Sequence, residues 1–278
     1  MKNKQSFFLS KKELLKEAGC DDYNESAKRL FSKAFGMSLA QSYEYQTYEG
    51  SNENAALFSE MVSRRAVGEP TSHIVCSRSF WKNDFHVDGT VLDPRPESEL
   101  IIDVAKNLLF DGMRVLDLGC GSGCLGLSLY KENSNITLFL ADISKKALSL
   151  SKKNAEELKA VCEFIHSDLF SNFHNNFDLI VTNLPYISKD EFRYLQREII
   201  LHEPHEALYG GRSGLDVIKL FLDGVNRHLN KNGFFLIEFG KGQDFLLKEE
   251  LVRSNFNNVC FYKDLNNVNR VVCVKKDT

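Results

Sequence analysis

Proline is scarce in this chain, five in 278 residues, and there is a single tryptophan. Proline fixes φ and removes an amide donor, so those five positions mark places where neither helix nor strand should run. An excess of basic charge is also missing. The 35 Lys and Arg are outnumbered by 38 Asp and Glu, for a formal net charge of -3. General nucleic-acid binders neutralise phosphates with a basic excess, so the expected partner is a small molecule or a protein. No CxxC pair occurs. The seven cysteines (Cys20, Cys76, Cys120, Cys124, Cys162, Cys260 and Cys273) are odd in number and scattered, which fits reduced thiols better than a disulfide frame or a metal site. No apolar run nears the length of a membrane span, and Phe7-Phe8-Leu9 is too brief for a signal sequence, so a cytoplasmic protein without membrane association is expected.

What is present divides into three stretches, 1–68, 69–95 and 96–278. Over 10–65 apolar residues recur at helical spacing, as in Leu14, Leu15 and Ala18, then Ala27, Leu30, Phe31 and Ala34. A further helix is predicted after Asn52, burying Met61 and Val62. Such a bundle carries no cluster of chemical groups and reads as a docking module or a lid. Gly68-Glu69-Pro70 ends it, and the mixture of β-branched, aromatic and turn residues over 73–91 predicts a linking hairpin with turns at Asn83-Asp84 and Asp88-Gly89. Asp93-Pro94-Arg95-Pro96 is a stiff approach to a helix near Glu97.

From Arg114 onward apolar strands alternate with amphipathic helices. Strands are predicted at 115–118, 136–141, 162–165, 177–181 and 234–239, helices at 123–130, 145–158 and 215–229, and a closing hairpin at 259–262 and 270–274. This alternation predicts an α/β fold with a largely parallel sheet covered on both faces.

Asp117-Leu118-Gly119-Cys120-Gly121-Ser122-Gly123 links the first of these strands to its helix. Glycines there allow a sharp bend and close approach of a ligand, and nucleotide-type ligands bind at the carboxyl ends of such strands. Gly121, Gly123 and Gly126 also satisfy GxGxxG, and Asp142 follows about 20 residues on, so the bend alone leaves NAD open. Asp142 is placed to accept from ribose hydroxyls, or else to cap the next helix. Asp168 could accept from an adenine amino group, with Leu169 or Phe170 covering the base, or be a solvated turn residue.

Asn183-Leu184-Pro185-Tyr186 follows the fourth strand directly. An amide nitrogen is a poor nucleophile because its lone pair is delocalised. The Asn183 side-chain oxygen and the Leu184 carbonyl could each accept one N–H of an –NH2 group, aiming the nitrogen and stabilising the charge that develops on it. Pro185 biases Leu184 towards an extended conformation, and Tyr186 offers a flat face. An NAD enzyme has no need of this tetrapeptide, which favours methyl transfer.

With these residues in hand, the chain resembles the bacterial release-factor glutamine N5-methyltransferases from about Arg64 onward. The likeness runs through Arg65, Gly68-Glu69-Pro70, Phe80-Trp81, Val91-Leu92-Asp93-Pro94-Arg95-Pro96-Glu97-Ser98-Glu99, the glycine bend, Asp142, Ser167-Asp168, the tetrapeptide, Glu203-Pro204 and Gly210-Gly211. It implies a Rossmann-like seven-stranded methyltransferase sheet with its last strand antiparallel, behind a helical docking domain. It implies S-adenosylmethionine as cofactor, contacted by Gly119, Cys120, Gly121, Ser122, Gly123, Asp142, Leu169 and Asn183. The substrate implied is the glutamine of a Gly-Gly-Gln loop in a class 1 peptide-chain release factor, held by Asn183, Leu184, Pro185 and Tyr186. A monomer is expected, and Arg95 and Glu97 would shape the pocket mouth or brace the hairpin. Three positions depart from the family pattern: Leu184 for proline, Ser79 for glutamate and Ser98 for threonine. Asn-Leu-Pro-Tyr also occurs in adenine-N6 RNA methyltransferases, and a relative within the family modifies a ribosomal protein, so both remain alternatives. His202-Glu203-Pro204-His205 reads as a loop, because the proline breaks the spacing a zinc helix needs.

Overall fold

The computed structural model describes residues 2–44 and 52–277, so the part of the helical stretch at 45–51 lies outside it. The chain forms two compact units, 1–77 with 196–202, and 78–195 with 203–278. The first contains α1 (Lys2–Glu17), α2 (Tyr23–Phe35), α3 (Leu39–Glu44), α4 (Asn52–Ala66) and α5 (Thr71–Val75), plus the short helix Arg197–His202. Ala27, Leu30, Phe31 and Ala34 line one face of α2 and bury against Phe8, Leu15, Phe58 and Met61. Gly36 ends α2 at φ 64°, a left-handed position glycine adopts without steric cost. Arg65 is buried and donates to Asp22 Oδ1 at 2.8 Å and Glu198 Oε2 at 2.7 Å. Burial opposes ionisation of Asp22, yet hydrogen bonds from Arg65 and Ser26 hold its carboxyl below the usual range.

The second unit opens with a smaller hairpin than the sequence suggests. Residues 71–75 are helical, and only β1 (Arg78–Phe80) and β2 (Asn83–Phe85) pair, antiparallel. Asn83-Asp84, expected as a turn, lies in β2. The turn falls instead at Trp81-Lys82, with Trp81 at φ 55°. Long-range contacts decide this, because the Trp81 amide donates to Glu99 Oε1 at 2.7 Å and its indole N–H to Glu132 Oε1 at 2.6 Å. The sole tryptophan thus braces the hairpin.

A 3-10 turn at Pro96–Ser98 leads into α6 (Glu99–Ala105). The sheet strands are β3 (Arg114–Leu118), β4 (Thr137–Asp142), β5 (Cys162–His166), β6 (Phe177–Thr182), β7 (Leu229–Glu238), β8 (Val259–Lys263) and β9 (Asn269–Lys275), in spatial order β5-β4-β3-β6-β7-β9-β8. The pairs from β5 to β7 are parallel, while β9 runs antiparallel to β7 and β8 to β9. The expected seven-stranded Rossmann-like sheet is present. Its covering helices are α7 (Cys124–Glu132), α8 (Lys145–Glu157), α9 (Asp216–His228) and α10 (Asp244–Arg253). The sequence reading contains no α10. This helix buries only Leu247 and Leu251 and exposes Phe245, Leu246 and Val252, so its apolar pattern lacks one clean face. β7 also begins five residues before the predicted 234, passing through Asn232 at φ 61° and a register shift against β6.

Strand order reverses at β3, whose chain neighbour β4 lies on one side and β6 on the other. Ligands in open α/β sheets bind at the carboxyl end of such a crevice. Leu118 and Thr182 are register partners, so Gly119 and Asn183 leave adjacent strands side by side. Under that point α9 sets Ile218, Phe221, Leu222 and Val225 into a core with Phe170 and Phe235. Phe221→Ala should cost about 3–5 kcal/mol. Urea denaturation checks this, and a loss below about 1 kcal/mol would contradict the packing.

Candidate active site

The glycine bend turns through three positive-φ positions, Gly119 at 72°, Gly121 at 54° and Gly123 at 80°. The Gly119 and Cys120 amides both donate to Ala141 O, at 2.8 and 2.9 Å, pinning the bend to β4. Gly126 is required for packing, since a Cβ there would lie 2.6 Å from Leu140 Cδ2 and 2.9 Å from Asp117 Cβ. Asp117 is fully buried and accepts from the Gly126 amide through Oδ2 at 2.8 Å. Among the described residues its other oxygen and Ser122 Oγ, both buried, have no hydrogen-bond partner. Burial pushes the Asp117 carboxyl up to about 7, offset only in part by the Gly126 N–H. Unpartnered polar atoms beside a bent backbone fit a ligand that brings its own donors, a cationic one above all. Cys120 and Cys124 are held protonated by burial, and the Cys120 backbone serves the bend itself, its amide donating to Ala141 O and its carbonyl accepting from the Gly123 amide at 2.7 Å.

Asp142 closes β4 and accepts from the Gly121 amide through Oδ2 at 2.9 Å and from the Ser144 amide through Oδ1 at 2.8 Å. It does not cap α8: that is Ser144, which accepts from the Ala147 amide. Burial raises the Asp142 carboxyl above the usual range despite those two amides. At the end of β5, Asp168 is exposed and Leu169 is half-buried at φ 44°. The Ser167 hydroxyl holds this turn by donating to Leu169 O at 2.8 Å. Register therefore brings the predicted bend, Asp142, Asp168-Leu169 and Asn183 to the carboxyl ends of four neighbouring strands.

The tetrapeptide is anchored from below and behind. The Thr182 hydroxyl donates to Leu118 O at 2.6 Å, joining the ends of β6 and β3. Leu184 is buried, and its Cδ2 would lie 3.5 Å from a Cβ on Gly119. Gln243 Nε2 donates to Tyr186 O at 2.8 Å. Gly210 and Gly214 back onto the turn so closely that a Cβ on the first would meet Pro185 O at 2.6 Å, and on the second Tyr186 O at 2.5 Å. Among the described residues neither Asn183 Oδ1 nor the Leu184 carbonyl accepts a hydrogen bond, because Asn183 uses its other end, Nδ2, which donates to Ser98 Oγ at 3.1 Å. Two free acceptors therefore share one turn.

Ser98 Oγ in turn donates to Glu238 Oε2, and the Tyr186 hydroxyl donates to Glu238 Oε1 at 3.0 Å. Glu238 is 1% exposed, and burial drives its carboxyl above the usual range against those two donors. Burial and the neighbouring Glu238 keep the Tyr186 phenol protonated. Sequence reasoning missed Asp117 and Glu238 as site residues and noted Ser98 only as a departure from a pattern. A signal existed for Glu238, the one charge in the apolar run Phe234-Phe235-Leu236-Ile237-Glu238-Phe239. Arg95 Nη2 contacts both Glu203 oxygens at 2.7 Å. His202 ends a helix while Glu203 turns to Arg95, and among the described residues no group of three or more His, Cys, Asp or Glu could hold a metal.

The buried Asp117 makes stability depend on pH. Between the ordinary carboxylate range and about 7, the unfolded chain has released a proton that the folded chain retains. Stability contributed by this group therefore falls as pH rises through that window, by about 1.4 kcal/mol per unit. Asp117→Asn should remove that part of the slope, gaining on wild type between about pH 5 and pH 8 in chemical denaturation. Parallel slopes for the two proteins would contradict the assignment.

Two family profiles match the chain, the Methyltransferase small domain over residues 96–223 and the PrmC N-terminal domain over 11–75. A release factor glutamine methyltransferase of Koribacter versatilis is 35% identical, covering 91% of each chain. Its counterpart from Cereibacter sphaeroides is 34% identical, covering 94% of each. A methyltransferase of Pyrococcus furiosus shares the fold at a TM-score of 0.55 and 16% identity, covering 79% of this chain and all of that one. With relatives of this identity along nearly its whole length, the chain belongs to the release factor glutamine methyltransferase family.

Proposed function

We propose that this protein transfers a methyl group from S-adenosylmethionine to N5 of the glutamine in the Gly-Gly-Gln loop of class 1 peptide-chain release factors. The observation that carries the reading is the pair of free acceptors, Asn183 Oδ1 and the Leu184 carbonyl, placed one strand from the glycine bend. An –NH2 group has two donors to match them. Each acceptor removes a rotational freedom from the nitrogen and stabilises the positive charge that grows on it. The neutral amide is too weakly acidic to be deprotonated first; as the nitrogen takes the methyl group and S-adenosylhomocysteine departs, the N–H becomes acidic and its proton passes to water without a strong base.

S-adenosylmethionine, when bound, supplies an electrophilic methyl group on a sulfonium. The residues we assign to holding it are Gly119, Cys120, Gly121, Ser122, Gly123, Asp142, Asp168, Leu169 and Asn183. Beside the bend, Asp117 and Ser122 each keep an oxygen with no partner among the described residues, which suits the charged amino-acid end of the cofactor. Asp142 keeps lone pairs for hydroxyl donors, and Leu169 offers an apolar surface to a base. Asn183, Leu184, Pro185 and Tyr186 hold the substrate amide. Leu184 in place of the family's proline keeps the carbonyl and adds a side chain against Gly119.

The helical stretch 1–68 serves in this reading as the docking domain for the release factor, with 69–95 linking it to the methyltransferase domain 96–278. Among the described residues no helix is long and apolar enough to cross a membrane. A cytoplasmic monomer acting on protein rather than on nucleic acid completes the proposal.

The test is incubation with tritiated S-adenosylmethionine and a purified class 1 release factor, followed by peptide mapping. Label should sit on the loop glutamine and vanish when that residue is alanine. Asn183→Ala should lower kcat by about 10²–10³, with a much smaller loss of S-adenosylhomocysteine affinity. Label on ribosomal RNA instead of the factor, or full turnover by the variant, would overturn the reading.

A further inference from the structure

We infer that Glu238, acting through Ser98, sets which end of the Asn183 side-chain amide faces the substrate, and so makes the site accept an –NH2 donor and refuse a carboxylate. The inference rests on the methyl-transfer reading and extends it from the acceptor pair to the group that orients it.

An Asn side chain has one accepting end and one donating end of nearly equal shape, so packing alone cannot choose between them. Ser98 lies against this amide, and a hydroxyl would serve either end. The choice is made one step further in. Glu238, as a carboxylate, has acceptors only, and its oxygens take the hydroxyl protons of Ser98 and Tyr186. With its proton committed, Ser98 Oγ can only accept. It therefore draws Nδ2 of Asn183, at 3.1 Å, and turns Oδ1 towards the open side of the turn. Each link points the same way, from Asn183 to Ser98 to Glu238, and Tyr186 closes the chain from the other end of the tetrapeptide. Glu238 and Ser98 lie 140 residues apart in sequence, and both are almost wholly buried. A carboxylate kept away from water costs stability unless its partners compensate, and among the described residues the side chains that donate to this one are two hydroxyls.

Glu238→Gln keeps the shape and reverses the order. Glutamine must donate from one end. The Tyr186 hydroxyl has no second acceptor among the described residues, so Oε1 stays with the phenol and Nε2 turns to Ser98. Ser98 then has a proton to give, Asn183 rotates to offer Oδ1 to it, and Nδ2 faces the substrate. An –NH2 group would meet a donor, while a glutamate side chain would find a partner.

The experiment compares wild type, Glu238→Gln, Ser98→Ala and Ser98→Thr. Each is first checked for S-adenosylhomocysteine binding by calorimetry and for thermal unfolding. For methylation of intact release factor, kcat should fall about a hundredfold in Glu238→Gln and Ser98→Ala, and Ser98→Thr, which keeps the hydroxyl, should restore most of it. Release factor with its target glutamine changed to glutamate is then used as a competitive inhibitor. It should bind Glu238→Gln at least tenfold more tightly than wild type, a reversal that general loosening of the fold would not produce. Separately, the Asn183 side-chain NH2 resonance, assigned by its loss in Asn183→Ala, should shift in Glu238→Gln without any substrate present. Wild type that fails to methylate the release factor defeats the substrate assignment and leaves the resonance to decide the orientation. Unchanged kcat in Glu238→Gln, an unmoved resonance, or lost kcat with no gain in affinity for the glutamate form would each overturn the role given to Glu238.

Discussion

The parallel pairing of β3 with β6 is the constraint on which the rest of the site depends. Those strands are separated by about 60 residues of chain, and between them lie both strands of the far half of the sheet. Their register places Leu118 opposite Thr182, and the Thr182 hydroxyl bonded to Leu118 O fastens the two ends together. Everything that follows is local geometry. A bend that must pass through positive φ begins on one strand, and a turn stiffened by Pro185 begins on the other. A slip of two residues would keep each side chain on its own face of the sheet and still separate the acceptors from the bend.

Much of this was legible in the residues. The central strands and α7, α8 and α9 fall within a few residues of their predicted bounds, because each carries a mostly apolar run or an amphipathic face. The bend and the tetrapeptide are contiguous and could be read as motifs. What escaped was set by distant partners. The hairpin turn moved from Asn83-Asp84 to Trp81-Lys82 because Glu99 and Glu132 capture the tryptophan. α10 has too little buried surface to show a period. Ser98 and Glu238 are single residues in unrelated segments, and their meeting is a product of the fold.

Among the described residues burial raises the proton affinity of four of the buried carboxyls, Asp117, Asp142, Glu203 and Glu238. They differ in what meets them. Asp117 and Asp142 face backbone amides, Glu203 faces the Arg95 guanidinium, and Glu238 faces two hydroxyls. A core of the same volume filled with leucine would be more stable, since buried charge rarely repays its desolvation in full. Functional sites commonly keep such groups at the expense of stability. Of the four, only Asp117 keeps an oxygen with no partner among the described residues.

The helix Arg197–His202 has a topological consequence. It belongs to the compact unit formed by the first 77 residues, although the chain reaches it only after most of the sheet has been laid down. Glu198 on that helix is one of the two carboxylates that neutralise the buried Arg65. A fragment cut after Ser77 would therefore leave the guanidinium with one of its two carboxylate partners, Asp22. The N-terminal helices are not a cassette that can be excised or transplanted at one junction: during synthesis their last stabilising contact waits until the ribosome has made the loop beyond the tetrapeptide.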